Sequence, residues 1–223
     1  MNTPNRRINF LAVALCVAGS AGLLTAGGCQ NRNRFEMPED ATLEARAARV
    51  ARAESLARDA QRQELAGNDD RAIALYRQAL SEWRELPVAW HNLGVLLARK
   101  GRNLEAAEAY MTASELSPSD PISLYNLGTL WEDLGYLDDA ARWYDEALLR
   151  NQNYLPALRR SVLVDDLRSK LSQTTAERLK AAILMEREPW WINRFKRIQQ
   201  RMNEQPLTAA PGGEVAPVPL GGN

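Results

Sequence analysis

Laid over itself so that Gly67 meets Gly101 and Gly101 meets Gly135, the sequence repeats. In the same register Ala72, Ala106 and Ala140 align, then Tyr76, Tyr110 and Tyr144, then Ala79, Ala113 and Ala147. Within the second and third copies the first half also repeats, "HNLG" at 91–94 answering "YNLG" at 125–128. Identity in all these columns is more than composition produces. A period of this length commits the chain to stacked supersecondary units, because one copy is too small to bury its own apolar face and is held by its neighbours.

Each copy reads as two helices. In the second, Val88, Leu93, Leu96 and Leu97 follow helical rather than alternating spacing, and Gly101 ends that helix. Leu104, Ala107, Tyr110 and Met111 then make a second apolar stripe, which Pro118 stops. Asp120 followed by Pro121 is an N-cap residue with proline at the first helical position, where a missing N–H costs nothing. The recurring residues have packing reasons. A glycine after the first helix takes the left-handed conformation that reverses the chain. Gly94, Gly128 and the alanine columns let helices approach, with Trp90 and the tyrosines filling the space between. These columns are core and carry no binding chemistry.

The stretch "PVAWHNLGVLLARKGRNLEAAEAYMTASELSPSD" at 87–120 resembles the tetratricopeptide repeat almost throughout. "PISLYNLGTLWEDLGYLDDAARWYDEALLRNQNY" at 121–154 does so nearly as well, with Gln152 at its late proline position. The copy at 53–86 is weaker, Asp59 and Ala60 replacing a leucine and a glycine, as suits a terminal copy with one side toward solvent. The resemblance implies an all-α fold, a right-handed α-solenoid of helical hairpins, closed here by a C-terminal helical cap.

In such a solenoid the first helices line a concave face. Carrying the family's inward-facing columns over residue by residue gives Val88, His91, Asn92, Val95 and Arg99 from the second copy. The third gives Ile122, Tyr125, Asn126, Thr129 and Asp133, and the following helix adds Arg159, Arg160 and Leu163. This mixed lining suits a protein or peptide partner laid along it, with Asn side chains bonding its backbone. Some family members clamp a terminal carboxylate with Asn and basic side chains. Only Asn126 and Arg160 match that constellation here, since Val95 and Pro156 stand where polar or basic groups belong. Asn92 and Asn126 are equally explained as repeat consensus, and the helix bearing Trp190 and Trp191 could fold into the groove.

The flanks extend the array. Residues 38–52 are an N-terminal helical extension with Leu43, Ala47 and Val50 on a weakly apolar stripe, expected as one helix from about Pro38 to Ala66. It is either a solvated spacer or a coiled-coil contact. Residues 155–203 are read as capping helices. "LPALRRSVLVDDLRSKL" supplies one more helix in register, Leu158 falling one full period after Leu124, and then the period is lost. "TTAERLKAAILMERE" begins with a capping box, Thr174 with Glu177. "PWWINRFKRIQQRM" spaces Trp191, Phe195, Ile198 and Met202 as one helical stripe that covers the last hairpin, faces a membrane or partner, or self-associates. Residues 204–223, rich in Pro and Gly, read as a disordered tail.

Residues 1–28 have the parts of an export signal: Arg6 and Arg7, an apolar run, and a small-residue junction. "AGGC" at 26–29 resembles a bacterial lipobox, with Ala26 where leucine is most usual. That resemblance implies lipidation at Cys29, a linker over 29–37, membrane attachment through the lipid, and, from Gln30, transport to an outer membrane. A conventional cleavage site with a chance cysteine, or an uncleaved anchor over Ile8–Gly28, are the alternatives. Cys16 lies inside the apolar leader and would leave with it, so a mature chain cut at this junction could form no internal disulfide.

Composition narrows the chemistry. Lys and Arg number 28 against 28 Asp and Glu, which excludes a strongly basic nucleic-acid-binding domain. There is no glycine-rich phosphate loop, no paired Cys or His metal spacing and no G-x-S-x-G elbow, and His91 is the lone histidine. The expectation is therefore no enzyme, no cofactor, no metal and no small-molecule substrate. The two resemblances together imply a lipid-anchored scaffold or assembly factor of the bacterial cell envelope, facing the periplasm and binding a protein segment in its groove. It resembles envelope lipoproteins that assist outer-membrane, pilus or secretion assembly or hold cell-wall enzymes. A cell-wall enzyme using carboxylates on the cap helices is the alternative of another class.

Overall fold

The computed structural model describes residues 42–204; the expected leader, Cys29, the expected linker, residues 38–41 of the expected helical extension and residues 205–223 of the expected tail lie outside them, while Glu204 ends a helix. Among the described residues the chain forms nine α-helices and no strand. They are α1 (Leu43–Leu65), α2 (Asp69–Glu82), α3 (Pro87–Arg99), α4 (Asn103–Leu116), α5 (Ile122–Asp133), α6 (Leu137–Arg150), α7 (Leu155–Leu167), α8 (Gln173–Met185) and α9 (Pro189–Glu204). α1 pairs with α2, α3 with α4, α5 with α6 and α7 with α8, while α3 touches α5 and α5 touches α7. The chain is an α-solenoid, as the repeat implied. No helix among the described residues is long and apolar enough to cross a membrane.

Each hairpin turns at a left-handed residue. Gly67, Gly101 and Gly135 have φ of 77°, 71° and 82°. The following N–H of Asn68, Arg102 and Tyr136 closes back on the carbonyl of Gln63, Leu97 and Trp131, each at 2.9 Å, which satisfies a carbonyl the helix end would leave free. The fourth turn does the same without glycine: Ser169 has φ 54°, and Lys170 N–H reaches the Asp165 carbonyl at 2.9 Å.

That turn corrects the expectation that the period ends after α7. α9 begins at Pro189, one full period beyond the start of α7 at Leu155. In α8, with one residue of slippage, Thr175, Leu179 and Ala182 are buried as Ala140, Tyr144 and Ala147 are in α6. The cap is thus a fourth hairpin followed by the first helix of a fifth. The sequence hid it because a compensated pair changed together. A Cβ on Gly128 would sit 2.6 Å from the Tyr144 ring. In the fourth hairpin Leu179 stands in the tyrosine's place, so Val162 fits, fully buried, in the glycine's.

Local boundaries also differ from expectation. α1 starts at Leu43, where the Thr42 hydroxyl accepts from Ala45 N–H at 3.2 Å. The α8 capping box is Ser172 with Thr175, because the helix begins earlier than Thr174 and the Thr175 hydroxyl is held by Asp165 at 2.7 Å. The buried stripe of α4 is Ala106, Ala107, Ala109, Tyr110 and Ala113, with Leu104 and Met111 exposed, since small residues set the close approach to α3. Pro121 precedes α5, and the Asp120 carboxylate accepts from Ile122 N–H at 3.0 Å. On α9, Phe195, Ile198 and Met202 are buried with Leu158 and Val162 of α7, so that stripe is spent inside the chain as a cap.

Candidate functional site

Side-by-side packing of the first helices brings their matching columns together. Between α3 and α5 lies a concavity of about 370 Å³ lined by Val95, Ala98 and Arg99 on one side and Asn126, Thr129, Leu130 and Asp133 on the other. Of the expected groove residues, Val95, Arg99, Asn126, Thr129 and Asp133 meet there. Asn103, Tyr110 and Leu134 complete it. Asn103 and Tyr110 belong to α4 and Leu134 follows α5, positions that a rule built on first-helix columns does not reach.

His91 bridges the same two helices. Its Nδ1 lies 3.0 Å from the Ser123 hydroxyl, and Asn126 Nδ2 lies 3.4 Å from its Nε2. Burial lowers the His91 pKa, with Asp120 opposing weakly, so the ring is neutral. A neutral ring that accepts at Nε2 donates from Nδ1 to Ser123. Asn92 is turned differently, donating to the Tyr76 hydroxyl at 3.0 Å. One consensus asparagine is therefore tied to the scaffold, while Asn126 borders the open concavity.

Most charges along this face are already paired. Arg99 holds Asp69 at 3.0 Å and Glu64 at 3.5 Å. Arg160 holds Glu132 at 3.1 Å, and Glu132 also accepts from the Tyr144 hydroxyl at 2.6 Å. Burial, reinforced by that carboxylate, pushes the Tyr144 phenol far up, and burial pushes Tyr110 up to about 12. Arg159 grips Glu186 through both Nε and Nη2, at 2.6 and 2.8 Å, and lies over the Trp191 ring at 5.0 Å. Asp133 is exposed and carries no ionic partner among the described residues.

The remaining expected residues lie elsewhere. Val88, 70% exposed, borders a separate hollow with Glu54, Ala57 and Arg58 of α1. Ile122 is exposed at the start of α5, and Tyr125 stacks edge-on with Tyr154 at 5.6 Å. Leu163 is half-buried in the core that α9 closes, and Arg159 is committed to the α8–α9 junction. α9 thus covers part of α7, and the open groove lies between α3 and α5.

Among the described residues no cluster of His, Cys, Asp or Glu is placed to hold a metal ion. The buried and half-buried carboxylates of the cap are each tied to arginine: Asp165 to Arg168, Asp166 to Arg194 and Arg201, Glu186 to Arg159.

The family comparison rests on the same hairpins. Residues 60–121 and 91–156 each match the family model described as tetratricopeptide repeat. Over these residues, somewhat under half of the chain, the sequence is similar to tetratricopeptide repeats. Among curated proteins, a 72-residue stretch is 35% identical to the peroxisomal targeting signal receptor of Candida albicans, covering 32% of this chain and 12% of that protein. A 70-residue stretch is 31% identical to tetratricopeptide repeat protein 37 of Xenopus laevis, covering 31% of this chain and 4% of that one. The chain thus spans only a small part of the length of the curated relatives it matches. Among solved structures, a tetratricopeptide repeat protein from Parabacteroides merdae superposes with a TM-score of 0.59 at 18% identity, over 69% of this chain and 61% of that one. The first repeat domain of Spaghetti (RPAP3), bound to the HSP90 peptide SRMEEVD, superposes at 0.51 and 19% identity, over 54% of this chain and 95% of that one. At such identities the shared property is the fold.

Proposed function

We propose that this protein is an adaptor of the bacterial cell envelope, anchored through lipid on Cys29, that recruits a protein partner by holding an extended segment of it between α3 and α5. Tetratricopeptide repeats serve as protein-interaction modules, and a structural neighbour of this fold carries a bound peptide. The observation that carries the reading is the concavity itself: an apolar floor of Val95, Ala98 and Leu130 bordered by Asn126, Thr129 and Asp133, which has no ionic partner among the described residues. Such a lining seats a side chain and bonds a backbone, and it contains no nucleophile with a base. Because Glu132 holds Arg160 and Glu186 holds Arg159, a basic clamp for a terminal carboxylate is not what this groove offers. Asp133 instead favours a segment bearing a Lys or Arg.

Site-specific photocrosslinking in the native envelope tests the groove. A crosslinker at Val95 or Thr129 should trap one discrete partner that a crosslinker at the exposed Leu149 does not, and Asp133→Lys should diminish the adduct. Equal labelling from all three positions would remove the groove. Mass spectrometry of the mature N-terminus tests the anchor separately: an acylated Cys29 supports it, and an unmodified Cys29 or an intact Met1 removes it.

A further inference from the structure

A further hollow involves the second helices of the hairpins. α2, α3 and α4 leave an open pocket of about 370 Å³ whose floor is Leu80, Leu93, Leu97 and Ala109. The repeat provides its own reference for what fits there. One period beyond Ala109, the same column is Trp143, whose side chain packs against two buried clusters, one holding Leu93 and Leu127 and the other Leu124 and Leu158. One period beyond Glu108 is Arg142, whose guanidinium lies 5.5 Å from the centre of that indole. One hairpin on, then, the chain fills this interval with its own adjacent Arg and Trp. Here it places a methyl at the floor and, in the column of Leu124, the larger Trp90 as one wall, and the room between them stays open.

The rim carries Arg77 and Arg84 as well as Glu105 and Glu108, and it is Glu108 that argues for the occupant's charge. Glu108, in the column of Arg142, is exposed and its carboxylate carries no partner among the described residues. Glu105 beside it is held by Arg102 and Arg77. The Trp90 ring forms one apolar wall, fixed by its Nε1 donating to the Arg84 carbonyl at 2.8 Å, with the Arg84 guanidinium 5.6 Å from the ring centre. The volume lies at the low end of ligand pockets, roughly 300–1,000 Å³, which suits one large side chain better than a whole cofactor.

We propose that this pocket is a docking site, distinct from the α3–α5 groove, for an aromatic side chain of indole size carried next to an Arg or Lys on a partner protein. The ring takes the place that Trp143 fills one hairpin later, and the neighbouring cation meets Glu108 at the rim.

Calorimetric titration of the full chain with Nα-acetyl-Arg-Trp-amide tests this, with the Glu-Trp and Arg-Ala amides as comparisons. Binding of the first at least about tenfold tighter than either comparison is expected. Ala109→Trp, which fills the pocket from within, should abolish that binding while raising the melting temperature, and Glu108→Arg should reverse the preference between the Arg-Trp and Glu-Trp amides. Absence of binding, or binding that survives Ala109→Trp, would overturn the proposal. If Ala109→Trp does not fold, the surface variant Glu108→Arg decides, and an unchanged preference counts against the site. Crosslinking from Val95 reports on the groove independently of all these outcomes.

Discussion

At Gly128 the residue scale is sharpest: an added Cβ would stand 2.6 Å from the Tyr144 ring, which is itself anchored by its hydroxyl to Glu132 at 2.6 Å. Neither partner yields easily, so Gly128→Ala should cost about 1–3 kcal/mol, read as a lower urea midpoint. Ser169 is the converse. Its left-handed φ of 54° imposes a Cβ penalty that glycine would not carry. Ser169→Gly should raise stability by up to about 1 kcal/mol, less the entropy glycine adds to the unfolded chain. His91 makes a pH prediction. Burial lowers its pKa from 6.5, so below that value the unfolded chain takes up a proton the folded one refuses. Its contribution to stability is full above about pH 6.5 and falls as pH drops toward the folded pKa. Unfolding measured across that range should show the slope, and His91→Gln should lack it. The glycine and tyrosine columns were legible because they repeat. Ser169 was not, because the turn kept its backbone while changing its residue.

Among elements, the junction of α8 and α9 concentrates the most chemistry. The Glu186 side chain, 1% exposed, accepts twice from Arg159 and once each from the N–H groups of Arg187 and Glu188, at 2.8 and 2.9 Å. Those donors hold its carboxyl below the usual range, so its contribution is present at neutral pH and is lost as pH falls through the folded value. Arg159→Ala would leave the carboxylate buried beside backbone donors alone. A loss toward about 3 kcal/mol is expected, the low end for a broken buried pair because Arg159 is itself 25% exposed. Pairing it with Glu186→Gln should recover part of that loss in urea unfolding, whereas additive losses would mean the two do not act together. The helices and their hairpin order were legible from spacing. The roles of Arg159 and Arg160 were not. First-helix columns place both on the groove face, yet which acid each one meets depends on Glu132 one hairpin earlier and on Glu186 beyond a turn that the repeat pattern did not reveal.

For the whole molecule, two large cores divide the load. One joins α1 to α5, and the other runs from Leu124 of α5 through α7 and α8 to Phe195, Ile198 and Met202 of α9. A stack whose stability is a sum of hairpins and nearest-neighbour interfaces opens first where its end is weakened. Phe195→Ala removes a fully buried ring from the terminal helix, a change of about 3–5 kcal/mol when it is felt in full. The expected result is that α7–α9 open while the α3–α6 hairpins, which frame the groove and carry the Gly94–Tyr110 and Gly128–Tyr144 contacts, keep their protection. Amide hydrogen exchange resolved by segment checks this: faster exchange confined to residues 155–204 supports nearest-neighbour stacking, and a uniform rise from α1 to α9 would show one cooperative unit instead. The outcome bears on binding, because a cap that frays alone would uncover the α7 face bearing Leu163 without dismantling the concavity between α3 and α5.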